Sequence, residues 1–305
     1  MFRDVTMDKS NYTSSFSYSE CFVCFLDILG FKNLIYESVH DKSAFDKVQL
    51  ISQLVYTAQQ QYLSSHWNSY FKFPITTQGL TCDKLMREED LIVEMSLFSD
   101  SIIVSYVLEK EGRFVDWYRQ MYQILNDICR LQFEFARNSI FFRGGMSYGK
   151  LFHNRNICFG PALIDAVALE KRAINPCIAV DNRIIDKIKM DMNSDEIDDY
   201  MPGYKYPHEI KTFARDLYIT HFSRIDMDSN NRTFNIDPNN RTFMLDWLAS
   251  QFFSDSRNIA VIKPVIEAEL QKDYLPKVKE KYEWLKRYYN YTISLAGNHA
   301  DMRIL

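Results

Sequence analysis

Phe25-Leu26-Asp27-Ile28-Leu29-Gly30-Phe31, read with Phe98-Ser99-Asp100-Ser101-Ile102-Ile103-Val104, decides how this 305-residue chain folds. Each stretch sets one carboxylate at the edge of an otherwise apolar, β-prone run. A buried carboxylate without a partner costs several kcal/mol or shifts its pKa until it is neutral, on the order set by desolvation. Taken singly, either Asp reads equally well as a strand-end cap facing water. Taken as a pair, they favour a shared divalent cation, because Mg²⁺ or Mn²⁺ bridging two carboxylates and a substrate's phosphates is one such partner.

Working outward, Cys21 to Leu29 is a nearly continuous apolar run of strand length, suited to a strand covered on both faces. Phe45, Val48, Ile51, Leu54, Val55, Ala58 and Tyr62 recur at three- and four-residue steps and predict an amphipathic helix. Leu91–Phe98 and Ser101–Tyr106 predict two strands joined tightly through Ser99-Asp100. Phe114, Trp117, Tyr118, Met121, Leu125, Ile128, Leu131 and Phe135 mark the clearest helix. Ser139–Phe152 is strand-like and carries Gly144-Gly145, where a bulge or a close backbone approach is expected. Asn156–Phe159 predicts a short returning strand, and Gly160-Pro161 opens a helix to Arg172.

Pro176–Val180 and Asp216–Thr220 predict two further short strands, separated by a solvated loop at Met190–Pro207 that includes the acidic run Asp195–Asp199. From Arg241 the pattern is helical, divided or kinked by Pro264 and Pro276, with Val278, Tyr282, Leu285 and Tyr289 on one face. The expected fold is α+β: an antiparallel-rich sheet covered by helices, with a C-terminal helical extension. The expected organisation is a flexible tail at 1–19, a core domain at 20–185, and a loop and helical extension at 186–305 packing on the same unit.

Composition narrows the functional classes. The chain is 47% hydrophobic and 15% aromatic, with 9 Gly and 8 Pro, which suits a sizeable core rather than a low-complexity chain. A net charge of -4 gives no global reason to bind nucleic acid or an anionic membrane. No apolar run approaches the roughly 20 residues that span a bilayer, and the polar, Ser-rich first 20 residues lack a secretory h-region. Cys21, Cys24, Cys82, Cys129, Cys158 and Cys177 lie in apolar surroundings and read as buried free thiols. A reduced, cytoplasmic protein is expected.

At this point a family resemblance enters. The first segment resembles the Phe-x-Asp-Ile-x-Gly-Phe signature of class III nucleotidyl cyclases, and Phe98–Ser101 resembles that family's second metal-aspartate hairpin, with Ser99 where Gly is usual. Phe142–Gly149 is similar to the Arg-x-Gly-x-x-x-Gly strand, and Phe159-Gly160-Pro161 through Glu170 falls where the family has its late catalytic helix. These four motifs, in order, cover roughly residues 20 to 180. Phe-Ser-Asp-Ser, Arg-Gly-Gly, Phe-Gly-Pro-Ala and Lys281-Tyr-x-Trp-Leu-Lys286 look most like the bacterial Pycsar-type cyclases of anti-phage defence, which make cyclic CMP or cyclic UMP.

The resemblance implies two Mn²⁺ or Mg²⁺ ions per site, held by Asp27, Asp100 and the Ile28 carbonyl. It implies phosphate contacts from Arg143 and from amides of Leu29, Gly30, Phe31 and Lys32. It also implies a homodimer with sites between subunits, no nucleic-acid or membrane partner, and a cyclic product read by a separate effector. Ser96 and Ile157 occupy the base-selecting positions and carry no purine-type residue, which implies a pyrimidine nucleoside triphosphate, UTP or CTP. The family's transition-state Asn and Arg fall at Ile164 and Ala168, which donate no side-chain hydrogen bond. Those groups are missing or come from elsewhere, with Asp165, Lys171, Arg172 and Arg155 nearby in sequence. The rival reading is a degenerate cyclase-fold protein that binds nucleotides or scaffolds a complex. His153 reads as a surface or hydrogen-bonded core residue, and Tyr282, Tyr288, Tyr289 and Tyr291 as packing rather than a base-stacking platform.

Overall fold

The computed structural model describes residues 17–63, 92–108, 114–154, 157–193, 222–224, 243–254, 256–295 and 302–305. It is a mixed α+β structure with a mostly antiparallel sheet, in line with the expected fold class. The central strand is β1 (Ser19–Ile28), flanked by β3 (Ser101–Val107) and β4 (Phe142–Asn154), both antiparallel to it. Beyond β3 lies its hairpin partner β2 (Ile92–Phe98). Beyond β4, the short β6 (Ile178–Val180) runs parallel to it, followed by β8 (Phe243–Leu245) and β7 (Phe222–Arg224). β5 (Ile157–Phe159) folds back on the end of β4.

Alternation along β1 sorts the two faces. Phe22, Cys24, Leu26 and Ile28 belong to the large core, together with Met121, Ile124, Leu125 and Ile128 of α3 (Phe114–Ala136) and Ile51 and Val55 of α2 (Lys42–Leu63). Cys21 and Val23 join a smaller core with Ala162 and Ala166 of α4 (Pro161–Arg172), against which Phe25 also packs. Asp27 continues this odd-numbered row, so it shares the α4 face. A strand with an apolar side chain on nearly every residue is what two covered faces require.

Small residues let α4 come close. A Cβ on Gly145 would lie 2.0 Å from the Ala166 carbonyl oxygen, and one on Gly160 would lie 2.6 Å from the Lys150 carbonyl oxygen. Close approach is therefore the role of the Gly pair; the β1–β4 register runs through Gly144 and Gly145 without a bulge. Gly160 caps α4 with Pro161 in its first turn, while Lys171 and Arg172 complement the dipole at its last turn. Gly30 takes φ 76° between β1 and α1 (Phe31–Ser38). Asp41 accepts from the Ala44 amide at 2.9 Å and caps α2.

The C-terminal pattern is corrected in part. Phe243–Leu245 is not helical but forms β8, because three fully buried residues complete the sheet beside β6. α6 (Trp247–Ser254), α7 (Ser256–Ala260), α8 (Ile262–Leu270) and α9 (Pro276–Leu295) follow. Both prolines mark divisions as expected: Pro276 opens α9, and Pro264 sits in the first turn of α8, just after the break that ends α7, where its missing N–H costs nothing. The loop expected from Met190 starts later, since α5 (Asn182–Asn193) runs on through Asn193. The tail before Ser17, Cys82, Arg155, Asp195–Asp199 and the Asp216–Thr220 strand lie outside the described residues. No helix among the described residues is long and apolar enough to cross a membrane.

Cys21, Cys24, Cys129 and Cys177 are buried free thiols, as expected, and Cys158 is partly buried. Burial pushes Cys21, Cys158 and Cys177 up to about 12. The tyrosines of α9 are packing. Tyr288 and Tyr289 are fully buried, and Tyr282 stacks on Tyr274 with ring centroids 5.2 Å apart.

Candidate active site

Three strands end together at the site. Asp27 on β1 pairs with Ser101 on β3 and with Arg143 on β4, so their side chains share one row on the α4 face. The Ile28 amide donates to the Asp100 carbonyl at 2.9 Å, which fixes the β2–β3 turn against the end of β1. Ser99 accepts φ 58° in that turn, a conformation that favours the Gly expected there. Both aspartates thus stand at the ends of adjacent strands, and Arg143, an expected site residue, stands beside them.

Arg143 Nε donates to Asp27 Oδ2 at 2.8 Å. The same nitrogen lies 2.8 Å from Glu170 Oε1, contributed by the last turn of α4. Glu170 is only 5% exposed. Burial pushes its carboxyl above the ordinary range; Arg143 partly offsets this, while Asp27 and Asp100 push it further up. From α9, Lys281 also reaches this charge cluster. Burial and then Arg143 hold its ammonium below the usual range, with Asp27 acting in the opposite sense.

The amides expected to face phosphate divide. Leu29 donates its N–H to the Phe141 carbonyl at 2.9 Å, which leaves Gly30, Phe31 and Lys32 at the start of α1 to meet an anion. Ser96 is buried on the same face, two residues along β2 from the Phe98 that pairs with Ser101. Its Oγ is 2.6 Å from His153 Nε2, and His153 Nδ1 is 2.7 Å from Ser105 Oγ. His153 is therefore the hydrogen-bonded residue that the sequence suggested. Ile157 is exposed on β5, opposite Asn154.

The late helix turns its expected catalytic positions outward. Ile164 is 70% exposed and Ala168 is exposed, whereas Ala162, Ala166 and Glu170 face the sheet. Asp165 does not stand in for them, because it pairs with Arg183 at 2.5 Å, and Arg183 also holds Asp181. Lys171 and Arg172 lie exposed at the helix end.

The residues fit a hard divalent cation by the chemistry of their donors. Asp27, Asp100 and the Ile28 carbonyl would all offer oxygen donors, and Mg²⁺ commonly takes only one or two carboxylates and keeps its waters. Asp27 already sits against a positive charge, that of Arg143. Among the described residues no group of three or more His, Cys, Asp or Glu is arranged as a metal cage.

No protein-family model matches the chain, and no curated protein matches it significantly. Among solved structures, the adenylyl cyclase CyaB from P. aeruginosa is similar with a TM-score of 0.37 and 12% identity, over 75% of this chain and 94% of that one. A likeness this distant assigns neither substrate nor site residues.

Glu170 and Lys281 were not singled out as site residues by sequence. Glu170 had one signal: it follows Ala162 and Ala166 at four-residue steps, which places a carboxylate on the buried stripe of α4. Lys281 had none beyond its motif.

Proposed function

We propose that this protein is a metal-dependent nucleotidyl cyclase that converts a pyrimidine nucleoside triphosphate, UTP or CTP, to its 3′,5′-cyclic monophosphate and pyrophosphate. The observation that carries the reading is the placement of Asp27 and Asp100 at the ends of adjacent strands, with Arg143 in the same row. The 3′-hydroxyl oxygen attacks the α-phosphorus, the bond from that phosphorus to the bridging oxygen of pyrophosphate breaks, and the hydroxyl proton passes to solvent. Positioning and charge neutralisation supply most of the rate in such a step. Mn²⁺ or Mg²⁺ bound at Asp27, Asp100 and the Ile28 carbonyl would acidify the 3′-hydroxyl and offset the triphosphate charge.

The chain's own residues do the rest. Arg143 and Lys281 bring positive charge to the phosphates, and the Gly30, Phe31 and Lys32 amides offer donors to their oxygens. Ser96 and Ile157 border the base, and neither carries the charged group expected of a purine selector. Exposed Phe98, Ile157 and Ile164 favour a homodimer whose partner helix completes the cleft. A role in anti-phage signalling, with the cyclic product read by a separate effector, follows from the motif resemblance.

The rival, a nucleotide-binding or scaffolding protein with the same fold, draws on one observation: Ile164 and Ala168 donate nothing at the transition-state positions. One experiment separates the two. Pure protein is incubated with each of ATP, GTP, CTP and UTP plus Mn²⁺, and products are identified by mass. A cyclic pyrimidine monophosphate supports the cyclase; no cyclic product from any of the four leaves the rival.

A further inference from the structure

We infer that Glu170 is a positioning residue that draws Arg143 away from Asp27 when a divalent cation binds, so that Arg143 moves between two carboxylates. The inference rests on the metal reading proposed above. The nitrogen Nε of an arginine carries a single hydrogen. In Arg143 that hydrogen goes to Asp27 Oδ2 at 2.8 Å. Glu170 Oε1 lies equally close to the same nitrogen, yet it is buried and accepts no hydrogen bond. A buried acceptor left without a donor is costly, and native structures seldom keep one without a use.

The fold holds Glu170 in this position. Gly145, Ala162 and Ala166 bring α4 onto β4, and Glu170 follows on the same stripe one turn later. The other charges facing it are Asp27, Asp100, Lys171 and Arg143 itself. A cation on Asp27 compensates that carboxylate and repels the guanidinium. Arg143 then has an acceptor within reach, and a small rotation transfers its hydrogen bond to Glu170. Without the Glu170 charge, Arg143 remains on Asp27 and competes with the metal.

The test needs no nucleotide. Metal-free full-length protein is titrated with Mn²⁺, and free Mn²⁺ is read by electron paramagnetic resonance for wild type, Glu170→Gln, Arg143→Gln and the double variant. Glu170→Gln is expected to weaken Mn²⁺ binding about tenfold, a typical coupling size. In the Arg143→Gln background the same substitution is expected to change binding by less than about twofold, because the coupled partner is gone. Equal losses in both backgrounds would mean that Glu170 acts directly on the ion and would overturn the inference, as would no loss in either. Should Glu170→Gln not fold, Glu170→Asp keeps the charge but withdraws it from Arg143, and its loss must likewise vanish beside Arg143→Gln. Mn²⁺ binding that Asp27→Ala abolishes but Glu170 does not affect leaves the metal reading standing and removes only the switch. Absence of any Asp27-dependent Mn²⁺ binding removes both.

Discussion

Asp246 and Glu170 are both buried carboxylates, 2% and 5% exposed, yet the protein treats them in opposite ways. Asp246 precedes α6, and its Oδ1 accepts from the Ala249 amide at 3.0 Å and from the Tyr288 hydroxyl at 2.6 Å. That hydroxyl in turn accepts from the Leu248 amide at 3.1 Å. The Ala249 amide and the Tyr288 hydroxyl are both neutral donors, and the Tyr288 bond ties α6 to α9. Glu170 instead faces a guanidinium already bonded to Asp27, with the Asp100 carboxylate also nearby. A satisfied carboxylate in the core is structure; an under-bonded one beside a shared cation is chemistry held in reserve.

If this contrast is correct, substitutions on the two sides separate activity from stability. The largest effect belongs to the proposed metal pair. Asp27→Ala or Asp100→Ala should lower cyclase turnover at least about 100-fold, the scale for removing one preorganised charge partner. Circular dichroism and melting should change little, because Arg143 keeps Glu170 and Asp100 is partly exposed. Full turnover in either variant would remove the two-carboxylate assignment.

The next effect concerns assembly, and the structure sharpens it. Arg143 lies beside Asp27 within one chain, so mixing Asp27→Ala subunits with Arg143→Ala subunits should restore nothing. Ala168 is exposed on the outer side of α4. Mixing Asp27→Ala with Ala168→Glu subunits should therefore regain one working cleft per heterodimer, read as activity recovered from two inactive parents. Recovery in the first mixture, or none in the second, would break the shared-cleft arrangement.

On the structural side, Asp246→Ala should cost about 2–4 kcal/mol in denaturant unfolding, from a lost helix cap and two donors left unpaired. Glu269 offers a smaller, pH-dependent version. Burial alone would raise its carboxyl, but hydrogen bonds from Lys272 and Tyr274 bring it below the ordinary value of 4.5. A depressed carboxyl stabilises the fold above its unfolded pKa and loses that contribution as pH falls through the folded one. Glu269→Gln should therefore cost about 1–3 kcal/mol at pH 7, and the gap to wild type should close only below pH 4.5. A gap that persists unchanged into acid would assign the loss to packing.

The two regions also differed in how openly the sequence displayed them. Asp27 and Asp100 stand out because each interrupts an apolar run, and local pattern is what strands and hairpins obey. Gly160-Pro161 marked the start of α4 for the same local reason. β8 escaped because three residues beside a helical stretch carry too little periodicity, and only pairing with β6 makes them a strand. Glu170 escaped because a charged residue on a helix reads as solvent-facing unless its row is known, and that row is set by the tertiary contact of Gly145 with Ala166. His153 was legible as a hydrogen-bonded residue, but its partners Ser96 and Ser105 lie 57 and 48 positions away. Charge placement was local; charge partnership was not.

The central claim is that the Asp27–Asp100 end of the sheet performs pyrimidine nucleotide cyclisation. The most direct measurement offers an equimolar mixture of ATP, GTP, CTP and UTP with Mn²⁺ to wild type and to Asp100→Ala, with products resolved by mass. The account predicts cyclic CMP or cyclic UMP well above the cyclic purines from wild type, and no cyclic product from Asp100→Ala. Preferential turnover of ATP, or equal product from both proteins, would contradict it.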